Sequence, residues 1–186
     1  MNLPFLIIVT GEPGAGKTTF AEALSREACL PLLSRDRIKE GCVHTWEQSA
    51  SQQPENANLL ATNLFFEIMV QMLSGGCSLI AEAAFQHAVW EKYLSPLMDK
   101  AQIRICLCAP ERSEIARERF LRRDLADMRR SRFHGTRGEA ATPLAHYEPP
   151  QLQVLTFRID TTGEYIPSLS ALIPQLLNGY TEENRI

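Results

Sequence analysis

The segment Gly11-Glu12-Pro13-Gly14-Ala15-Gly16-Lys17-Thr18 constrains this chain more than any other. It fits the spacing G-x-x-x-x-G-K-[ST] and follows the apolar run Phe5–Val9. It also opens a stretch in which Phe20, Ala21, Leu24 and Ala28 recur at helical spacing. A short unbroken apolar run reads as a strand buried on both faces. Glycines between such a strand and a helix let backbone N–H groups turn inward around phosphate oxygens, and the helix N-terminus adds its positive end. In that arrangement Lys17 reaches the β- and γ-phosphates and the Thr18 hydroxyl binds Mg²⁺, so residues 11–18 and the neighbouring Thr19 are candidate nucleotide ligands. A dinucleotide-binding G-x-G-x-x-G does not fit, because the sixth position counted from Gly14 is Thr19. A guanine-reading N-K-x-D is absent too: none of the other lysines, Lys39, Lys92 and Lys100, stands in one.

The rest of the chain alternates strand and helix patterns. Strands are expected at Leu30–Leu33, Cys77–Ala81, Ile103–Cys108 and Val154–Ile159, and helices at 16–28, 57–73, 88–99, 111–126 and 166–177. The 57–73 stripe (Leu60, Leu64, Phe65, Ile68, Met69, Met72, Leu73) is the strongest, and Gly75-Gly76 should stop it. Residues 41–56 are polar and weakly patterned, and read as a mobile substrate-side segment. Strands interleaved with helices imply βαβ crossovers: an α/β three-layer sandwich around a parallel sheet, with ligands beyond the carboxyl ends of the strands. At 186 residues, one such domain is expected over 1–186. A net charge of −3 argues against a generally basic nucleic-acid coat. Cys77, Cys106 and Cys108 lie in or beside apolar runs and read as buried reduced thiols, which points to a cytoplasmic chain. No apolar stretch reaches 18 residues, so no membrane span is expected. Four histidines show no ligand spacing, and Trp46 and Trp90 read as packing residues.

Acidic residues stand where the sheet rule says to look. Asp36 follows the second strand, nineteen positions beyond Lys17. A carboxylate there can orient an attacking hydroxyl and accept its proton, although it also suits a helix cap. Glu82 ends the third strand, where an acid can hold Mg²⁺ through its water shell, or reach substrate. Residues 112–137 hold nine arginines against four acids, a local charge of +5 that leaves −8 elsewhere. Arg119, Arg122 and Arg123 share one helical face and suit bidentate phosphate binding, forming a lid over residues 119–149; Glu118–Arg122 is the competing solvated pair.

Taken together, four stretches resemble the small P-loop kinases: the loop after Ile7-Ile8-Val9, Leu33-Ser34-Arg35-Asp36, Ile80-Ala81-Glu82-Ala83, and Leu107-Cys108-Ala109-Pro110 leading into Arg119 and Arg123. That group includes zeta-toxin-like and chloramphenicol-phosphotransferase-like enzymes and polynucleotide kinase domains. The resemblance implies sheet order 2-3-1-4-5, Asp36 as general base, lid arginines at Arg119 and Arg122 or Arg123, and Asp160-Thr161-Thr162 near the adenine. Polynucleotide kinases carry an arginine three positions after that aspartate, where this chain has Lys39. The expectation is therefore an ATP- and Mg²⁺-dependent enzyme that moves the γ-phosphoryl to a hydroxyl of a small molecule, with catalytic Lys17, Asp36, Arg119 and Arg123. Residues 11–19, Arg119, Arg122 and Thr161 would bind ATP, and Thr18 and Glu82 the metal. A polynucleotide 5′-hydroxyl kinase and a regulatory ATPase without a transfer substrate are the alternatives.

Overall fold

Strand β1 (Phe5–Thr10) runs through the middle of the protein. Successive side chains of a strand point to opposite faces, and here both faces are covered. Leu6 and Ile8 enter one apolar cluster with Phe65, Met69, Trp90 and Leu94. Ile7 and Val9 enter the other with Phe20, Leu24, Leu172 and Leu176. That double burial is why the run is continuous rather than alternating. A computed structural model describes residues 3–48, 57–126 and 147–178, the side chains of 47–48 and 123–126 excepted.

Around β1 stand β2 (Leu32–Ser34), β3 (Leu79–Glu82), β4 (Gln102–Cys108) and β5 (Leu155–Ile159), every pair parallel, in the order β2-β3-β1-β4-β5. The flanking helices are α1 (Lys17–Ala28), α2 (Arg35–Gln48), α3 (Ala57–Ser74), α4 (His87–Leu94), α5 (Ser113–Ala126) and α6 (Leu169–Leu177). This is the α/β sandwich and the strand order the sequence led us to expect. The chain leaves β1 toward β3 and β2 on one side and toward β4 and β5 on the other. The carboxyl end of β1 is therefore the switch point at which open α/β sheets bind ligands. Among the described residues no helix is long and apolar enough to cross a membrane.

Cys106 and Cys108 are buried, but Cys77, expected to be buried with them, is exposed, because it lies in the turn that caps α3 ahead of β3. Further local outcomes also differ from the pattern reading. Residues 41–48, expected as loop, continue α2. Ile38 and the fully buried Val43 anchor that helix in the core and α2 packs along α3, so tertiary contact overrides a weak period. The helix expected over 88–99 shortens to α4, because Pro96 turns Ser95–Leu97 into a 3-10 turn. The last helix starts at Leu169, three residues later than expected. The stop at Gly75-Gly76 holds for a specific reason. Gly76 takes the left-handed conformation at φ 76°. Its N–H reaches the Leu73 carbonyl and that of Cys77 the Met72 carbonyl, both at 2.9 Å, closing a Schellman cap. Residues 127–146, most of the expected lid, lie outside the described residues.

Candidate active site

The Gly-rich loop joins β1 to α1 at the switch point. Gly14 and Gly16 sit at φ 86° and 79°, a region that side chains disfavour. A Cβ on Gly14 would run into the Ala116 carbonyl of α5, and one on Gly16 would come within 3.2 Å of the Thr161 Cβ. The loop is thus shaped by neighbours on both sides. The Glu12 carbonyl accepts hydrogen bonds from the Ala15 N–H at 3.1 Å and from Lys17 Nζ at 2.9 Å. Lys17 is 8% exposed, so its ammonium is already folded over the loop where a phosphate would lie. A cradle with no room for a Cβ, a buried ammonium and a helix N-terminus behind it fits a triphosphate.

Glu82 stands beside this loop at the end of β3, paired in register with Val9 of β1 and Ser34 of β2. It is 4% exposed. One carboxylate oxygen accepts from Ser34 Oγ at 2.7 Å; the other faces the Thr18 hydroxyl at 3.4 Å. Burial pushes its carboxyl above the usual range, while the Ser34 bond and the Lys17 charge pull it back. The Thr18 hydroxyl and the Glu82 carboxylate are the hard oxygen donors that Mg²⁺ takes, and few protein ligands suffice because Mg²⁺ keeps several waters. Among the described residues there is no cluster of three or more His, Cys, Asp or Glu side chains that would suit another metal.

Asp36 lies in the first turn of α2, directly after β2. It is a helical residue and not the cap of a helix starting at 37. Its carboxylate is 48% exposed and accepts from the Arg35 guanidinium at 3.2 Å. Its charge acts on Glu82 on one side and on Lys39 on the other. The carboxyl edge of the sheet therefore collects Lys17, Thr18, Glu82, Ser34 and Asp36.

On the far side of the loop, Thr161 follows β5. Its hydroxyl donates to the Ala15 carbonyl at 2.8 Å, so it braces the Gly-rich loop. Arg119 of α5 donates to the carbonyls of Thr161 and Thr162, each at 2.9 Å. Gly16, Thr19, Arg119, Arg122, Thr161, Gly163 and Tyr165 surround a cavity of about 510 Å³. Arg119 thus holds a cleft wall in place through backbone oxygens. Arg122 is well exposed and pairs with Glu118 at 2.8 Å, the solvated arrangement. Arg123 belongs to α5, and its side chain lies outside the described residues.

Two contributors escaped the sequence reading. Ser34, present in the stretch that carried the resemblance, turns out to orient Glu82; only its register opposite Glu82 shows this. Thr10, the last residue of β1, accepts from the Trp90 indole at 3.1 Å and shares a 2.7 Å hydrogen bond with Tyr147. Nothing in the local pattern marks partners 80 and 137 positions away.

A family model described as an AAA domain matches residues 6–150. The chain belongs to that family. Among solved structures, this AAA-family chain is similar to a presumed kinase from Chloroflexus aurantiacus. They share 23% identity at a TM-score of 0.71, over 94% of this chain and 97% of that one. It is similar also to the APS kinase of Mycobacterium tuberculosis, solved with AMPPNP and APS (14% identity, TM-score 0.56, 95% and 97% covered). A gluconokinase from Sinorhizobium meliloti gives 15% identity and a TM-score of 0.54, with 95% and 91% covered. At such identities the likeness is one of fold: that of the small P-loop kinases. No match was found among curated proteins.

Proposed function

We propose that this protein is an ATP- and Mg²⁺-dependent kinase that transfers the γ-phosphoryl group to a hydroxyl of a small-molecule acceptor. One observation carries the reading. Buried Lys17 and Glu82, with the Thr18 hydroxyl facing Glu82, and the half-exposed carboxylate of Asp36 lie along one edge of the sheet, at the carboxyl ends of the adjacent strands β1, β3 and β2. The neighbours' titles name kinases, which supports the same class of chemistry on this fold.

Backbone N–H groups of residues 11–18 hold the phosphates, and Lys17 leaves the Glu12 carbonyl to stabilise charge on the β- and γ-oxygens. Thr18 and Glu82 would hold Mg²⁺, which would neutralise charge on the phosphates. Asp36 orients the acceptor hydroxyl and takes its proton as the oxygen attacks phosphorus, while the leaving ADP oxygen takes the bonding pair. Thr161 and Arg119 fix the cleft wall beside the loop, so the nucleotide meets a formed surface. Arg122 lines that cleft and pairs with Glu118 at its rim, from where its guanidinium can turn to the phosphates. The test is ADP release from ATP with Mg²⁺ across a panel of hydroxyl compounds. Release that requires an acceptor supports transfer; brisk release indifferent to every acceptor would instead mark a nucleotide hydrolase.

A further inference from the structure

Arg35 and Lys39 stand one turn apart on α2, on either side of Asp36 in the helix. Both are withdrawn from water: the Arg35 side chain is 13% exposed and Lys39 6%. Arg35 spends one terminal nitrogen on Asp36 and the other on the backbone and side-chain oxygens of Asn58. Its Nε is buried with no partner among the described residues. Lys39 makes no hydrogen bond or ion pair among them. The charges that act on its ammonium are Arg35, which repels it, and Asp36, which attracts it. Glu82, at the end of the neighbouring strand β3, is engaged by Ser34 and Thr18. The first turns of α2 therefore hold two cationic side chains largely withdrawn from water against one half-exposed carboxylate.

Buried cations are costly unless paired, and such pairs persist where an anion completes them. We propose that Arg35 and Lys39 form an anion seat beside Asp36, so that the alcohol phosphorylated here carries a carboxylate or phosphate group. This rests on the kinase reading and narrows its acceptor. The donors left over are the Arg35 Nε–H and the Lys39 ammonium, on the same helix as the base. An anion held there presents its own hydroxyl to Asp36, with the Gly-rich loop beyond. A neutral alcohol would leave the Arg35 Nε–H and the Lys39 ammonium without an acceptor, so the seat selects by charge.

The experiment first fills the nucleotide site with AMPPNP and Mg²⁺, then titrates inorganic phosphate and glycerate by calorimetry. Saturable binding is expected in the wild type, weaker by about 10- to 100-fold in Lys39→Met and retained in Lys39→Arg, as for loss of one charge-assisted hydrogen bond. The relative strength of phosphate and glycerate tells which anion the seat prefers. The melting temperature of the ligand-free protein should not fall in Lys39→Met, because the ammonium has no hydrogen bond among the described residues to lose. In a second arm, ADP release is compared with glycerol, glycerate and glycerol 3-phosphate. The charged alcohols are expected to be preferred, and their kcat/KM to fall in Lys39→Met. Anion binding unchanged by Lys39→Met overturns the seat, as does a neutral alcohol turned over equally well by wild type and variant. If anion binding follows Lys39 while no alcohol is phosphorylated, the seat stands and the transfer reading falls.

Discussion

On the nucleotide side of the cleft the polar groups hold one another. Lys17 bonds the Glu12 carbonyl, Thr161 the Ala15 carbonyl, Arg119 two carbonyls after β5, and Ser34 and Thr18 the Glu82 carboxylate. On the acceptor side the same edge of the sheet is left incomplete: Asp36 is half-exposed, the Arg35 Nε lacks a partner, and Lys39 is buried beside a like charge. Under the proposed function the contrast follows from what each side has to do. A cradle for a triphosphate is useful when it is already formed, since preorganised donors cost no rearrangement during the reaction. An acceptor pocket whose charges are balanced only by the right ligand gains specificity instead.

Substitutions can break this contrast in a graded way. The largest effect is expected from Lys17→Ala, which should reduce transfer to background and weaken ATP binding, read by ADP release and calorimetry. Asp36→Asn should behave differently: kcat falls by about 10²- to 10⁴-fold while ATP affinity stays near wild type. Ser34→Ala frees one oxygen of Glu82 to turn away. The Mg²⁺ concentration needed for half-maximal activity should rise by about 10- to 100-fold, with little change at saturating metal. Arg119→Met removes two charge-assisted bonds to partly buried carbonyls. A loss of ~1.5–3 kcal/mol in denaturant unfolding is expected, against less than about 1 kcal/mol for Arg37→Ala, whose pair with Glu22 is exposed. The smallest effect concerns pH. Burial pushes the Tyr147 hydroxyl up to about 12, so the folded chain keeps a proton that the unfolded chain gives up near its ordinary value of 10. The stability linked to that proton is complete below pH 10 and drains away as pH rises toward 12. Tyr147→Phe should flatten that limb of the stability profile. The buried thiols of Cys106 and Cys108 are also shifted upward and are present in both proteins, so the profile is read as the difference between them.

The same contrast governs what the sequence made legible. The phosphate side is written locally: eight consecutive residues specify a turn, its glycines, its lysine and its hydroxyl, and the apolar run before them specifies the strand. Strand ends then pointed to Asp36 and Glu82 by a rule of topology. The acceptor side is written in contacts between distant segments. Lys39 can be named from the sequence as a cation after Asp36, but its burial follows only once α2 packs along α3, and Ser34 looks like a turn residue until β2 pairs with β3. The extension of α2 through 41–48 was hidden for the same reason, because Val43 and Ile38 gain their weight only from the core they enter. Arg119 was legible as a residue of the cleft, but its bonds to backbone oxygens after β5 belong to a loop 42 positions away.

The central claim is that the preformed cradle serves transfer to an acceptor oriented by Asp36. Its most direct test measures ATP affinity and ADP release together, in the wild type and Asp36→Asn, with and without an anionic alcohol. The account predicts equal ATP affinity in both proteins, and release that depends on the acceptor in the wild type and nearly vanishes in the variant. Acceptor-dependent release that survives Asp36→Asn unchanged would contradict it.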